Sequence, residues 1–298
     1  MKFDCIGFGA LNTDRLFKVD QMAKPGEESI ITGYEEHFGG SAANTIVGLS
    51  RLGHSVGYIG KLAADEGGRL HLKNLEDENV DTNGIIQAKT GRSGSVIGFV
   101  DSSGERTLYV DPGVNDTLES KEVNPSYATS SKFLHVTSFV GELPFIAQKN
   151  LIKSLPSTLI SFDPGELYSR KGLSALRPIL RRSFVIFPNK QELDLLTGES
   201  YEEGAEELIC EGAKIVAVKL GSEGCYVTDG RESHSIPALP TEVVDTTGAG
   251  DAFCTGFLHG LILGKNIEEC GRLGNLIASK KISRSGARIG LPYLQDLT

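Results

Sequence analysis

The stretch Val244–Asp245–Thr246–Thr247–Gly248–Ala249–Gly250–Asp251–Ala252–Phe253 joins two glycines, a carboxylate and an apolar run. Small residues before a helix leave backbone N–H groups open to approach. A helix N-terminus adds unpaired donors and partial positive charge. Together they make a cradle for negative charge developing on a transferring phosphoryl group. Asp251 falls in the first turn beside that cradle, where its carboxylate can take a proton from an attacking hydroxyl. A glycine turn followed by an N-terminal helix charge is the plain structural alternative. Asn189 and Glu192, in PNKQELDLLTG, carry capping-box spacing, which suits a helix start and also puts an amide and an acid in one place. Lys219 and Gly221 end the strand-like run KIVAVKLG, and Gly224 follows it.

These groups need a scaffold that brings distant loops together. Short apolar runs alternate with helical patterns: FDCIGFG, SVGYIGKLA, SKFLHVTSF, STLISFDPG, SFVIFPNKQE and KIVAVKLG read as strands, AANTIVGLSRLG and EGGRLHLKNLEDENV as helices. That alternation predicts a mostly parallel sheet covered on both faces. In such sheets ligands sit at the carboxyl ends of the strands. Two segments break the rhythm. Residues 10–38 and 91–112 are β-rich and helix-poor, with a hairpin turn expected at Asp101–Gly104. They predict a small sheet inserted into the α/β body as a lid; edge strands of the main sheet are the alternative. Gly141 and Glu142, and Asp163 and Gly165, follow two strands and are candidates to line a pocket or to make strand-end turns.

The 298 residues carry a net charge of −9, 39% hydrophobic and 23% charged residues. That composition predicts a folded chain and argues against a broad nucleic-acid footprint. Five scattered cysteines without a CxxC pair read as reduced thiols, and no His/Cys metal spacing stands out. The first residues show no apolar signal-peptide core, and no stretch has membrane-span length, so the expected compartment is the cytoplasm.

Two widely separated signatures together carry a family resemblance. DTTGAGDAFCTGF resembles the C-terminal signature of the ribokinase, or PfkB, carbohydrate kinases, and GGSAANTIVGLSRLG (Gly39 to Gly53) resembles their N-terminal one. No GxxxxGK[ST] P-loop is present. The resemblance covers essentially the whole chain. It implies a three-layer α/β/α domain from residues 1–9, 39–90 and 113–298, with a β-sheet lid from 10–38 and 91–112. It implies ATP-dependent phosphorylation of a sugar-like hydroxyl, with Asp251 as base and the Gly248, Ala249 and Gly250 amides as anion hole. Asn12, Asp14, Gly39, Gly40 and Asn44 fall where the family binds substrate hydroxyls. Asp and Asn side chains suit a polyol, which presents both donors and acceptors.

Asn189 and Glu192 match positions linked to phosphates and to Mg2+ through water. Lys219, Gly221 and Gly224 match the nucleotide loop, and Asn275 a residue near adenine. Asp245 and Thr247 match holders of a monovalent cation, K+, completed by the carbonyls of 281–290, including Lys281, Arg284 and Gly286. Gly290 stands where some relatives have a serine ligand. The implied acceptor is a pentose or ketohexose, with a nucleoside as alternative. A non-catalytic binding relative would not need Asp251. Exposed lid strands imply a homodimer through the lid.

Overall fold

The computed structural model describes residues 1–102 and 106–297. Ser103 and Gly104 of the expected Asp101–Gly104 turn lie outside the described residues. The chain order begins β1 (Phe3–Phe8), β2 (Asn12–Val19), β3 (Ile31–Gly39), α1 (Ser41–Arg51), β4 (Val56–Ala63), α2 (Glu66–Asp77), β5 (Asp81–Ala88), β6 (Gly94–Val100) and β7 (Arg106–Asp111). It continues with α3 (Pro125–Ala128), β8 (Ser131–Thr137), α4 (Glu142–Lys153), β9 (Leu159–Asp163), α5 (Gly165–Ser169), α6 (Gly172–Leu180), β10 (Ser183–Ile186), α7 (Lys190–Thr197) and α8 (Tyr201–Cys210). The last elements are β11 (Ile215–Lys219), β12 (Cys225–Thr228), β13 (Ser233–Ile236), α9 (Ala249–Ile262) and α10 (Ile267–Ile282).

The main sheet has the order β13-β12-β11-β10-β9-β8-β1-β4-β5. Its strands run parallel from β5 to β11, and an antiparallel pair, β12 and β13, closes one edge. Strand residues alternate between two cores, as the period of two requires. Ile6, Phe8, Leu134, Val136, Ile186 and Val216 face the side covered by α3 to α8. Cys5, Phe133, Val185, Ile215 and Ala217 face the side covered by α1, α2, α9 and α10. The expected three layers are therefore present. Sequence order reverses about β1, which has β4 on one side and β8 on the other. A crevice opens at such a point outside the carboxyl ends of the strands.

A second sheet has the order β3-β2-β6-β7. Its outer pairs are antiparallel, and its central pair, β2 with β6, is parallel. These strands are separate from the main sheet, not edge strands of it. One face carries the ring contacts Phe17–Tyr34, Phe17–Phe99 and Phe99–Tyr109.

The helix carrying Asp251 is fixed by close backbone approach. On α9, a Cβ placed at Gly256 would lie 2.7 Å from the Leu273 carbonyl carbon and 2.8 Å from Gly274 Cα on α10. On α10, a Cβ at Gly274 would lie 2.7 Å from the Phe253 ring. Alanine favours a helix over glycine by about 1 kcal/mol. A methyl pressed against backbone costs about 1–3 kcal/mol, because backbone yields less readily than a side-chain tip. The clash therefore wins. Gly256→Ala is expected to lower the urea midpoint of unfolding despite its better helix propensity; an unchanged or raised midpoint would show that the two helices separate freely.

Candidate active site

Helix α9 begins where the chain turns sharply. Gly248 holds φ 75° as its N-cap, a left-handed conformation that favours glycine. The turn delivers Ala249, Gly250 and Asp251 as the first helical residues. The Ala249 N–H closes onto the Thr246 carbonyl at 3.0 Å. Of the expected amides, Ala249's is thus already engaged. The N–H groups of Gly250 and Asp251 are first-turn donors beyond the reach of an intrahelical carbonyl.

Two cavities meet at this helix start. One, of about 310 Å3, is lined by Thr247, Gly248 and Asp251 together with Asn12, Asp14, Gly40, Asn44, Asn115 and Asp116. The other, of about 600 Å3, is lined by Thr246, Ala249 and Gly250 together with Lys219, Gly221, Gly224 and Asn275. Its apolar lining includes Leu239, Val243, Phe253 and Ile282. The start of α9 is the wall between them.

Asp251 Oδ2 accepts from Asn44 Nδ2 at 2.8 Å. Burial pushes its carboxyl up to about 6, with the Asn44 bond, Lys219 and Arg288 opposing that rise and Asp163 adding to it. The Asn44 amide is oriented from behind. Arg288 Nε donates to Asn44 Oδ1 at 2.7 Å, while its other nitrogens reach Asn74 Oδ1 at 2.6 Å and the Gly39 carbonyl at 3.1 Å. A guanidinium offers only donors, so it dictates that the amide oxygen faces it and the amide nitrogen faces Asp251.

The other residues at the smaller cavity are tied together in the same way. A Cβ at Gly39 would lie 2.7 Å from Asp14 Oδ1, so the glycine makes room for that carboxylate. Burial pushes Asp14 up to about 6 against the pull of Arg288 and His37. Asn12 Oδ1 accepts from Asn115 Nδ2 at 3.0 Å, and buried Asn115 also brackets the Leu11 backbone. Asp116 Oδ1 accepts from the Gly141 N–H at 2.8 Å. Glu142 is not brought in: it begins α4 on the surface and pairs with Lys171, while Phe139 and Val140 line the cavity instead.

On the opposite side, Lys219 Nζ donates to Asp163 Oδ2 at 2.7 Å. Burial works against this ammonium, but Asp163, Cys254 and Glu192 together outweigh it and raise the Lys219 pKa. Asp163 is thus the buried partner of Lys219 rather than a lining residue. Asn189 and Glu192 form a full capping box at α7: Glu192 N donates to Asn189 Oδ1 and Asn189 N to Glu192 Oε2, both at 2.8 Å. Burial raises the pKa of the Glu192 carboxyl. Asn275 spends its amide nitrogen on the Ile236 and Pro237 carbonyls, both at 3.1 Å, which fixes the chain as it leaves β13. Gly286 N donates to Asp245 Oδ2. Among the described residues, no group of three or more His, Cys, Asp or Glu side chains is placed to hold a metal, and no helix is long and apolar enough to cross a membrane.

Asn115, Asp116, Asn74 and Arg288 are absent from the sequence-based candidates. DPGVNDT reads as a turn, and SGARIG attracts notice only for its carbonyls. The one available signal is the polar pair Asn115-Asp116, one residue beyond the Pro112-Gly113 where the second lid segment ends.

A family model described as pfkB family carbohydrate kinase matches residues 2–294. A protein described as an uncharacterized sugar kinase, from Archaeoglobus fulgidus, is 47% identical over 253 residues, covering 84% of this chain and all of that one. An ATP-dependent ribose-1-phosphate kinase of Halopiger xanaduensis is 29% identical, covering 94% and 92%. The crystal structure of a Thermotoga maritima ribokinase superposes with a TM-score of 0.89 at 26% identity, covering 99% and 98%.

The Asn44 arrangement has a measurable consequence. Replacing Arg288 by methionine removes a charge that favours the Asp251 carboxylate and frees the Asn44 amide to turn. Both changes favour protonation, so Asp251 should titrate higher by about one unit. A 13C-carboxyl titration, assigned with Asp251→Asn, checks this; an unmoved titration would show that Asn44 is oriented without Arg288.

Proposed function

The chain belongs to the pfkB family of carbohydrate kinases, and from that premise we propose that it phosphorylates a hydroxyl of a compact, uncharged sugar such as a pentose or ketohexose, using ATP. The observation that carries this reading is the start of α9 standing between the two cavities. Thr247, Gly248 and Asp251 face one, and Thr246, Ala249 and Gly250 face the other. ATP suits the larger cavity, with its apolar slot for a base and Lys219 at the phosphate end. The sugar suits the smaller.

The acceptor hydroxyl lies against Asp251. As its oxygen forms the new bond to phosphorus, its proton passes to the carboxylate, and the bond to the departing ADP breaks. The Gly250 and Asp251 amides and the Lys219 ammonium meet the charge on the transferring group. Lys219 is well placed for this: a Cβ at Gly250 would lie 3.5 Å from its Nζ. Mg2+ arriving with ATP would neutralise phosphate charge. The buried Glu192 carboxylate, whose pKa burial raises, fits a role near such a cation through water.

Three carboxylates, Asp14, Asp116 and Asp251, line the acceptor cavity, and among the described residues no Lys or Arg does. Such a lining accepts hydrogen bonds from hydroxyls and repels sugar acids and sugar phosphates. Among the described residues Phe139 is its one aromatic wall, with Val96, Val110, Val140 and Leu167 as aliphatic neighbours. A nucleoside base would have to stack on this largely aliphatic side, which favours the free sugar. The second sheet contributes Val96 and Val110 to the cavity, which supports its role as a lid excluding water.

The face of the same sheet that carries the ring contacts exposes Tyr34 and Tyr109. That face supports pairing of two lids in a homodimer. Sedimentation at working concentration should give a dimer, and a monomeric mass would refute the pairing.

The reading is tested by initial rates with ATP and Mg2+ on ribose, fructose, ribose-1-phosphate, 2-dehydro-3-deoxygluconate, adenosine and cytidine. High kcat/KM confined to a neutral free sugar is expected. The rate should rise with pH through about 6, because only ionised Asp251 can take the proton. Asp251→Asn should lower kcat by about 100-fold to 10,000-fold with KM nearly unchanged. A nucleoside preference would establish the alternative acceptor, and a normal kcat in the variant would remove Asp251 from the chemistry.

A further inference from the structure

Asp245 and its neighbours do not fit the monovalent cation that the family resemblance implies for them. The oxygens of Asp245 are already engaged by donors of the chain itself. Oδ1 accepts from Thr247 N at 2.8 Å, Oδ2 from Gly286 N at 2.7 Å, and the carbonyl from Lys281 Nζ at 2.7 Å. Lys281 projects from the last turn of α10 and its side chain is fully buried, with its ammonium 4.0 Å from Asp245 Oδ2. An ammonium with no access to water is retained only where fixed negative groups compensate it. Here a carbonyl and a carboxylate do so, the oxygen chemistry that K+ would seek.

A second, independent observation comes from Gly290. A Cβ there would lie 2.9 Å from both the carbonyl carbon and the Cα of Lys281. The backbone that carries Lys281 therefore excludes the serine that supplies a ligand at this position in some relatives. The Arg284 N–H donates to the Lys281 carbonyl at 3.2 Å, taking up another of the oxygens expected to face an ion.

We propose that Lys281 Nζ is a built-in replacement for the monovalent cation, so that the site is complete without K+. Asp245 and Lys281 together are neutral, and a second cation beside them would meet repulsion with no anion left to balance it. The ammonium also anchors the segment that leads into the phosphoryl cradle. Val244 N and Asp245 N donate to the Ile282 carbonyl at 2.8 and 3.1 Å, so the loop is strapped to the end of α10. Three residues on, a Cβ at Gly248 would lie 3.0 Å from Ala287, so the turn that starts α9 rests on the segment after Lys281. Lys281 is a positioning residue, acting through Asp245 on Gly248.

This inference rests on the kinase reading for its rate measurements but not for its stability measurements. The wild-type enzyme should phosphorylate its acceptor at the same rate in KCl, NaCl and tetramethylammonium chloride of equal ionic strength. Its thermal unfolding midpoint should also be the same in all three. Lys281→Met keeps most of the volume and removes the charge. In tetramethylammonium it should lose about 10-fold to 100-fold in kcat. Its unfolding midpoint should be lowered there and should rise with KCl, and kcat should recover in parallel as the ion takes the vacated place. Lys281→Gln serves if the methionine variant does not fold.

A wild-type rate or midpoint that rises in K+ over tetramethylammonium would overturn the proposal. So would a folded Lys281 variant whose rate and midpoint both ignore K+. No turnover by the wild type on any acceptor would count against the kinase reading alone, because the unfolding midpoints would still decide the role of Lys281.

Discussion

The hydrogen bond from Asn44 to Asp251 ties together two side chains 207 residues apart in the chain. It demands that α1 and α9 pack side by side, that Asn44 face outward from α1 at the right turn, and that its amide present nitrogen rather than oxygen. Each demand is met by something else in the molecule. Contacts such as Thr255 Oγ1 to the Thr45 carbonyl at 3.2 Å join the two helices. The Arg288 guanidinium fixes the amide. Arg288 is held in turn by Arg51, which donates to its carbonyl at 2.6 Å and is itself paired with Glu78. The carboxylate at the centre of the proposed chemistry therefore has its geometry set by these few contacts, which also oppose the rise in proton affinity that burial imposes on it.

The parallel sheet explains why so many unrelated loops meet there. Strands β1, β8, β9 and β11 all run the same way, so Ala10 and Asn12, Thr137 to Val140, Asp163 and Lys219 emerge at one edge. Helix α9 then presents its positive end to that edge. The glycine-mediated approach of α9 to α10 sets its height, and the left-handed turn at Gly248 sets its first residue. A displacement of a single helical residue would turn Asp251 by about 100° around the axis, away from the smaller cavity. Close packing between the two helices resists such slippage, which is why glycines far from the reacting groups matter to them.

What the sequence made legible follows from the range of the interactions. Alternation of strands and helices, the capping box at Asn189 and the glycine turn before Asp251 are local patterns. Each survives unchanged from chain to fold because neighbouring residues determine it. Asn115 and Arg288 act across 104 and 244 residues. Their local surroundings look like an ordinary turn and an ordinary tail. Glu142 shows the converse. Its place after a strand and before a helix is right for a ligand contact, yet the first turn of α4 sends it to the surface beside Lys171. Lys281 is the subtlest case. Its position in the expected cation segment was readable, but only the fold shows its ammonium at Asp245 rather than its carbonyl.

Charge is divided across the start of α9. The smaller cavity is lined by Asp14, Asp116 and Asp251 with no Lys or Arg among its described lining residues, while Lys219 lies at the larger cavity and Lys281 beneath the loop before Gly248. On the proposed reading this division does more than recognise two substrates. A sugar hydroxyl becomes a nucleophile as it loses a proton, and negative charge nearby raises the basicity of the Asp251 carboxylate that takes it. The transferring phosphoryl group gathers negative charge, and it does so next to helix donors and buried ammonium groups. If cations lined the acceptor cavity, they would hold Asp251 ionised but weaken it as a base. If carboxylates lined the phosphate side, they would repel the donor. A protein with one helix end to share between a proton acceptor and a charge stabiliser therefore lets acids face one cavity and pairs the acids Asp163 and Asp245 on the other side with Lys219 and Lys281, and the burial of Lys281 against Asp245 places one of those cations where water and salt screen it least.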